Sequence, residues 1–201
     1  MKKIFIVILA FFAAATVYSQ NDGINKLSSS FKIVRLKYSG GGDWYNDPSD
    51  EVNMMDYLKK NTVIDVDESK FYSVDINSDD IFNFPFILIT GHGNISFTDT
   101  EVKRLRQYLE RGGFLYADDD YGMDKAFRRE MEKVFPDQKM QELPFDHKIY
   151  NSQFSFPNGL PKIHEHDGKP AQGFGLINKG KLVCFFSYES DLGNGWEDAS
   201  V

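Results

Sequence analysis

Two apolar runs, Phe86 to Ile89 and Phe114 to Ala117, frame a segment whose apolar residues recur at helical spacing. Val102, Leu105 and Leu109 fall at i, i+3 and i+7 with Tyr108 beside them, while Glu101, Lys103, Arg104, Arg106 and Glu110 take the remaining positions. One stripe therefore faces a core and the rest faces water. Thr98 with Glu101 three residues later predicts a capping box, the hydroxyl accepting from an exposed N–H while the carboxylate reaches back. Gly112-Gly113 predicts the stop, because the residue just past a helix end often needs positive φ, which Gly reaches without a Cβ clash. Strand, capped helix, Gly stop and strand make a βαβ unit with a right-handed crossover. Ligands of such sheets gather beyond the carboxyl ends of the strands. Here those ends are Thr90-Gly91-His92-Gly93 and Asp118-Asp119-Asp120.

The pattern continues on both sides. Phe31 to Tyr38 alternates apolar and polar and predicts a first strand, which runs out at Ser39-Gly40-Gly41-Gly42-Asp43-Trp44-Tyr45. Asp47-Pro48 with Asp50 and Glu51 predicts a helix start, since Pro has no N–H to lose in the first turn and carboxylates favour the positive end of the dipole. Met54, Met55 and Leu58 supply its apolar side. Phe71, Tyr72 and Val74 predict a second strand. After Tyr121-Gly122, Met123, Phe127, Met131 and Val134 predict another amphipathic helix, ended by Pro136. From Asp137 to Pro170 the chain reads as loop with a short strand around Ile149 to Phe156. Gly173 to Ile177 and Lys181 to Ser187 flank Asn178-Lys179-Gly180, which predicts a hairpin with Gly180 at the positive-φ position of a three-residue loop.

Residues 1–19 read as an export signal: Lys2 and Lys3 precede an apolar run from Ile4 to Ala15, and Ser19 suits cleavage before Gln20. The alternative is an uncleaved anchor, for which the run falls short of the ~20 residues that span a bilayer. Residues 20–30 are polar and read as a flexible lead-in, and residues 31–201 as one α/β domain. The expected location is the periplasm or cell envelope, with no stable membrane span after cleavage. Cleavage would take two lysines from the formal charge of −7 and leave −9, which excludes nucleic acid as a partner because phosphates demand a basic face. The single cysteine, Cys184, lies in the apolar run Leu182 to Phe186, so it forms no internal disulfide and reads as a buried thiol.

The candidate chemistry collects at strand ends. Gly41 and Gly42 could offer N–H groups to an anion or simply make a loose loop, and Trp44 could stack on a sugar or pack on the sheet. His92, between Gly91 and Gly93, sits at the turn where hydrolase-like folds place a nucleophile; it reads as an acid/base, a metal ligand, or a residue that fixes the turn. Asp118, Asp119 and Asp120 form the strongest chemical signal, able to hold a hard cation or act as base, and equally able to cap the helix that follows. His147 lies in a later loop, and His164-Glu165-His166 could bind zinc if both rings pointed one way, or lie in water. Ser187 to Trp196, with Asp191, reads as another loop at the same edge. No cofactor is assigned, and a divalent cation stays open as the one candidate.

Together, the FKIVRLKYSGGGDWY start, the ITGHG turn, YLERGGFLYADDD, the MEKVFP helix end, LPFDHKIYNSQF and SYESDLGNGW resemble a bacterial domain-of-unknown-function family over nearly all of residues 31–198. That family is similar to a branch of the class I glutamine-amidotransferase-like superfamily, beside the trehalose-utilisation type proteins. The resemblance implies a flavodoxin-like three-layer α/β sandwich with a mostly parallel central sheet, here with a C-terminal hairpin. Where an amidotransferase carries its nucleophilic Cys, this chain has His92, so glutamine hydrolysis by a thiol is not expected. The family pattern also continues into a further helix, so a chain ending at Val201 is expected to be truncated. The expected function is a non-enzymatic module that binds a polar or carbohydrate-like ligand, or an envelope protein partner. Its rival is a metal-assisted hydrolase using the same carboxylates and His92.

Overall fold

The computed structural model of the protein describes residues 30–197, so the expected export signal and the continuation beyond Glu197 lie outside the described residues. Seven strands form one sheet: β1 (Val34–Lys37), β2 (Ser73–Asp75), β3 (Phe86–Ile89), β4 (Phe114–Asp118), β5 (Gln141–Glu142), β6 (Gln172–Asn178) and β7 (Lys181–Tyr188). Their spatial order is β2-β1-β3-β4-β7-β6-β5. The pairs from β2 through to β7 are parallel, and β6 runs antiparallel to both β7 and β5. The three helices are α1 (Asp50–Asn61), α2 (Asp99–Glu110) and α3 (Asp124–Val134). The result is a mostly parallel α/β sandwich of flavodoxin-like type. None of the described helices is long and apolar enough to cross a membrane.

The βαβ unit forms as its periodicity predicts. Both halves of the Thr98/Glu101 capping box are made, and Gly112 takes φ 104° just past the end of α2. Val102, Leu105 and Leu109 pack with Phe127 and Met131 of α3 against Ile87, Leu115 and Phe186 on one face of the sheet. On the other face, Met55 of α1 packs with Leu88, Tyr116 and Phe185. Because both faces are covered, the inner strands are buried at successive positions rather than at alternate ones.

Two expectations change and one contact is added. Residues 149–156 form no strand: Lys148–Tyr150 is a short 3-10 turn, and the chain pairs earlier, at Gln141–Glu142 on the sheet edge. The hairpin loop has two residues, since Asn178 pairs with Lys181 and both Lys179 (φ 50°) and Gly180 (φ 77°) are left-handed. A turn with two positive-φ residues matches the twist of the flanking strands, which favours it over the longer loop. The carboxylates that begin α1 do not face water. Glu51 makes a two-pronged contact with Arg35 of β1, whose side chain is fully buried, and Asp50 is buried beside it. Within the hairpin strands, Phe186 is buried while Phe174 and Leu182 are half-buried.

Candidate functional site at the switch in strand order

From β1 the chain goes outward to β2 and then crosses back to β3 on the opposite side, so the order reverses between β1 and β3. A crevice at the carboxyl ends of these strands is where open α/β sheets bind ligands. Two turns meet there. Gly42 N–H donates to Asn94 O, and Ser39 and Ser96 bridge the loops. A Cβ on Gly42 would stand 2.7 Å from the His92 carbonyl oxygen, and one on Gly91 (φ 126°) 2.6 Å from the Tyr38 hydroxyl. These glycines let two backbones touch, and the Gly42 amide already has a protein partner, which weakens an anion-cradle role.

The contact places His92 between carboxylates. Its Nδ1 lies 3.1 Å from Asp43 Oδ2 and 3.2 Å from Asp120 Oδ2, and its backbone N–H donates to Asp43 Oδ1. Asn46 Nδ2 donates to Asp120 Oδ2 at 2.8 Å. Partial burial of the ring works against its charge, yet Asp120 and Asp43 outweigh that and raise the His92 pKa. Asp43, though partly buried, is held below its usual value by the hydrogen bonds from His92. Asp120 is raised because burial outweighs Asn46 and His92, and Asp47 is raised to about 6 by burial and by Glu197. Among the described residues the Nε2 of this half-exposed imidazole has no protein partner. Tyr45 stands exposed nearby in sequence, whereas Trp44 is half-buried under Lys37 Nζ, 5.2 Å from its ring.

Asp118 and Asp119 do not hydrogen-bond to His92. Asp118 is fully buried and accepts from the Ser187 hydroxyl and from the Leu192 and Gly193 amides. Asp119 accepts from the Met123 amide at the start of α3, the capping role, and burial raises it to about 7. Its outer side borders a polar pocket of about 250 Å³ with Tyr121, His166, Lys169 and Tyr188. This pocket adjoins the His92 turn, since Gly93 N–H donates to Tyr121 O.

Two expected contributors lie elsewhere. His147 caps a short turn through Nδ1 and the Ile149 amide, with no hydrogen bond to the other candidates. Trp196 crosses to the opposite face of the sheet, 6.0 Å from the Tyr116 ring, where it lines an apolar cavity of about 480 Å³ with Phe114, Tyr116 and Phe185. It is carried there by the 3-10 turn at Gly193–Gly195, whose direction local sequence does not reveal. Cys184 is fully buried and its pKa is pushed up by burial, so it has neither the access nor the ionisation of a nucleophile.

Sequence reading passed over Arg35 and Asn46. Arg35 donates to the carbonyl oxygens of Trp44 and Asn46, at 2.9 and 2.7 Å, and so holds the loop that carries Asp43. The available signal was a lone Arg inside an apolar strand, which in a buried strand implies an acidic partner.

Residues 32–201 match a family model described as a domain of unknown function, DUF4159. The chain belongs to the DUF4159 family. A search of curated proteins finds no match. The DUF4159 match spans every element of the sheet and all the residues of the His92 cluster.

Proposed function

We propose that this DUF4159 domain is an exported binding module for a neutral, hydroxyl-rich ligand of carbohydrate type, held at the β1/β3 crevice. The observation that carries the reading is His92, a half-exposed imidazole held by Asp43 and Asp120 with Nε2 unpaired among the described residues. Nε2 would hydrogen-bond to a hydroxyl, which can donate or accept, the carboxylates around it would accept from neighbouring ones, and the exposed Tyr121 ring would offer an apolar face to the C–H side of a sugar. Asp43, Asp47 and Asp120 together outnumber the one imidazole, so an anionic ligand is disfavoured. The sandwich and the turn position of His92 support placing the family beside the class I glutamine-amidotransferase-like proteins, without their thiol chemistry. The rival hydrolase, with Asp118, Asp119 and His92 on one cation, is less well supported because Asp118 is committed to internal hydrogen bonds.

Titrating ¹⁵N-labelled protein with a panel of neutral mono- and disaccharides should shift the amides of residues 43–46, 91–93 and 120–121, and His92→Gln should remove the response. No response to any of the panel, or a response centred elsewhere, would sink the reading. The pH dependence has a defined sign. A His whose folded pKa is raised contributes stability that is fully present below its unfolded value, about 6.5, and is lost as pH rises through the folded value. The stability gap between wild type and His92→Gln should therefore narrow above neutral pH, as urea midpoints at pH 5.5 and 8.5 would show. Export itself is checked by mass spectrometry of the native protein. A start at Gln20 supports it, and an intact Met1 refutes it.

A further inference from the structure

A second cluster of donors lies apart from His92. The loop carrying His164 and His166 is fastened to the segment after β7: the Ile163 amide donates to Ser190 O at 2.9 Å, Lys162 Nζ to Glu189 Oε2 at 2.8 Å, and the Asp167 and Lys169 amides to Glu189. This fastening brings both imidazoles to one carboxylate. His166 Nε2 lies 3.1 Å and His164 Nδ1 3.8 Å from Asp191 Oδ2, and one donor atom from each of the three falls within 4.8 Å of the others.

We propose that His164, His166 and Asp191 bind one divalent transition-metal ion of zinc type. Metal bonds of about 2.0–2.2 Å to imidazole nitrogen and carboxylate oxygen put neighbouring donors of a tetrahedral shell roughly 3.3–3.6 Å apart, between the two separations found. Two imidazoles and one carboxylate select a borderline ion over magnesium or calcium, which prefer all-oxygen shells. Three protein donors leave a position for water or a ligand, and His166 borders the polar pocket shared with Asp119 and Lys169. A plain hydrogen bond from His166 to Asp191 accounts for one ring only. The second imidazole, on an exposed residue, turns Nδ1 toward the same oxygen and packs its ring edge-on against His166, 5.3 Å between centroids.

The surroundings suit an added cation. Both the His166 and Asp191 side chains are 2% exposed, while that of His164 is 61% exposed, which leaves an approach from solvent. Among the described residues no Lys or Arg forms an ion pair with Asp191, and Asp118 and Asp120 add negative charge from β4. Asn194 holds the carboxylate, its amide donating to Oδ1 and its side chain to Oδ2 at 2.7 Å. Such outer partners orient a ligating group.

The test is calorimetry on the untagged, chelator-treated protein. Zn²⁺ should saturate at one ion per chain, and Mg²⁺ should give no heat. His164→Ala removes an exposed ring without touching the core and should weaken Zn²⁺ binding by at least about tenfold, as should Asp191→Asn. A Co²⁺ titration should give the visible absorbance of a low-symmetry, nitrogen-ligated site that His164→Ala abolishes. Thermal melts report whether each variant is folded. Absent Zn²⁺ saturation, equal binding of Mg²⁺, or less than a tenfold loss in a folded His164→Ala protein would each overturn the proposal.

Discussion

Glu51→Ala is expected to lower global stability by roughly 3–5 kcal/mol, the cost of leaving one member of a buried ion pair without its partner. Arg35 lies inside β1 with no exposed surface, and both of its prongs end on Glu51. Removing that carboxylate leaves a guanidinium whose remaining hydrogen bonds go to the neutral carbonyl oxygens of Trp44, Asn46 and Asp47, with the buried Asp50 carboxyl 3.9 Å away and too far to hydrogen-bond. Since a typical domain is stable by only about 5–15 kcal/mol, the urea midpoint should fall by a large fraction. A shift worth under about 1 kcal/mol, the range of an exposed pair, would show that water reaches the guanidinium. The double variant Arg35→Met with Glu51→Leu separates two roles of the pair. Apolar replacement of a buried ion pair is often neutral, so stability should largely return. Without Arg35 the carbonyl oxygens of the 44–47 loop would lack their donor, so Asp43 and Asn46 would lose their placement and saccharide-induced shifts at His92 should be lost.

The βαβ unit was readable because everything that defines it is local. The 3.6-residue period, the Thr98/Glu101 reciprocity and the Gly112 stop all act within one helix length. The hairpin was readable for the same reason, although the two-residue turn depended on Lys179 accepting positive φ, which its residue type does not announce. Edge strand β5 was missed because two residues carry no period; Gln141 and Glu142 pair only because β6 is already there. The candidate site was half readable. His92 and Asp120 stood out at strand ends, but their partner Asp43 is 49 residues from His92, and only the strand order brings the β1 and β3 turns together. Trp196 follows Asp191 closely enough in sequence to read as part of the polar edge, and the 3-10 turn between them sends it to the opposite face.

Asp118→Ala should be nearly as damaging as the loss of Glu51, through hydrogen bonds rather than ion pairing. The carboxylate ends β4, fully buried, and gathers three donors from the neighbouring chain: the Ser187 hydroxyl and Leu192 amide on Oδ1, and the Gly193 amide at 2.6 Å on Oδ2. Burial raises its pKa even against those donors. In the Ala variant the Ser187 hydroxyl can turn to Ala117 O, but the two amides are left without an acceptor. Each unsatisfied buried donor costs about 1–3 kcal/mol, so a loss of roughly 2–6 kcal/mol is expected for the two amides. Asp118→Asn keeps the volume but replaces one oxygen with an NH₂ that faces a donor, so it should recover only part of the loss. The readout is hydrogen exchange at the Leu192 and Gly193 amides alongside the urea midpoint. Faster exchange at both with a lowered midpoint is the expected result, because this side chain accepts the Leu192 and Gly193 amides that tie the segment to the end of β4. Full recovery in Asp118→Asn, or unchanged protection of the two amides in Asp118→Ala, would mean that the segment is held by its apolar contacts, Leu192 and Trp196 against the opposite face, and that the buried carboxylate is incidental to it.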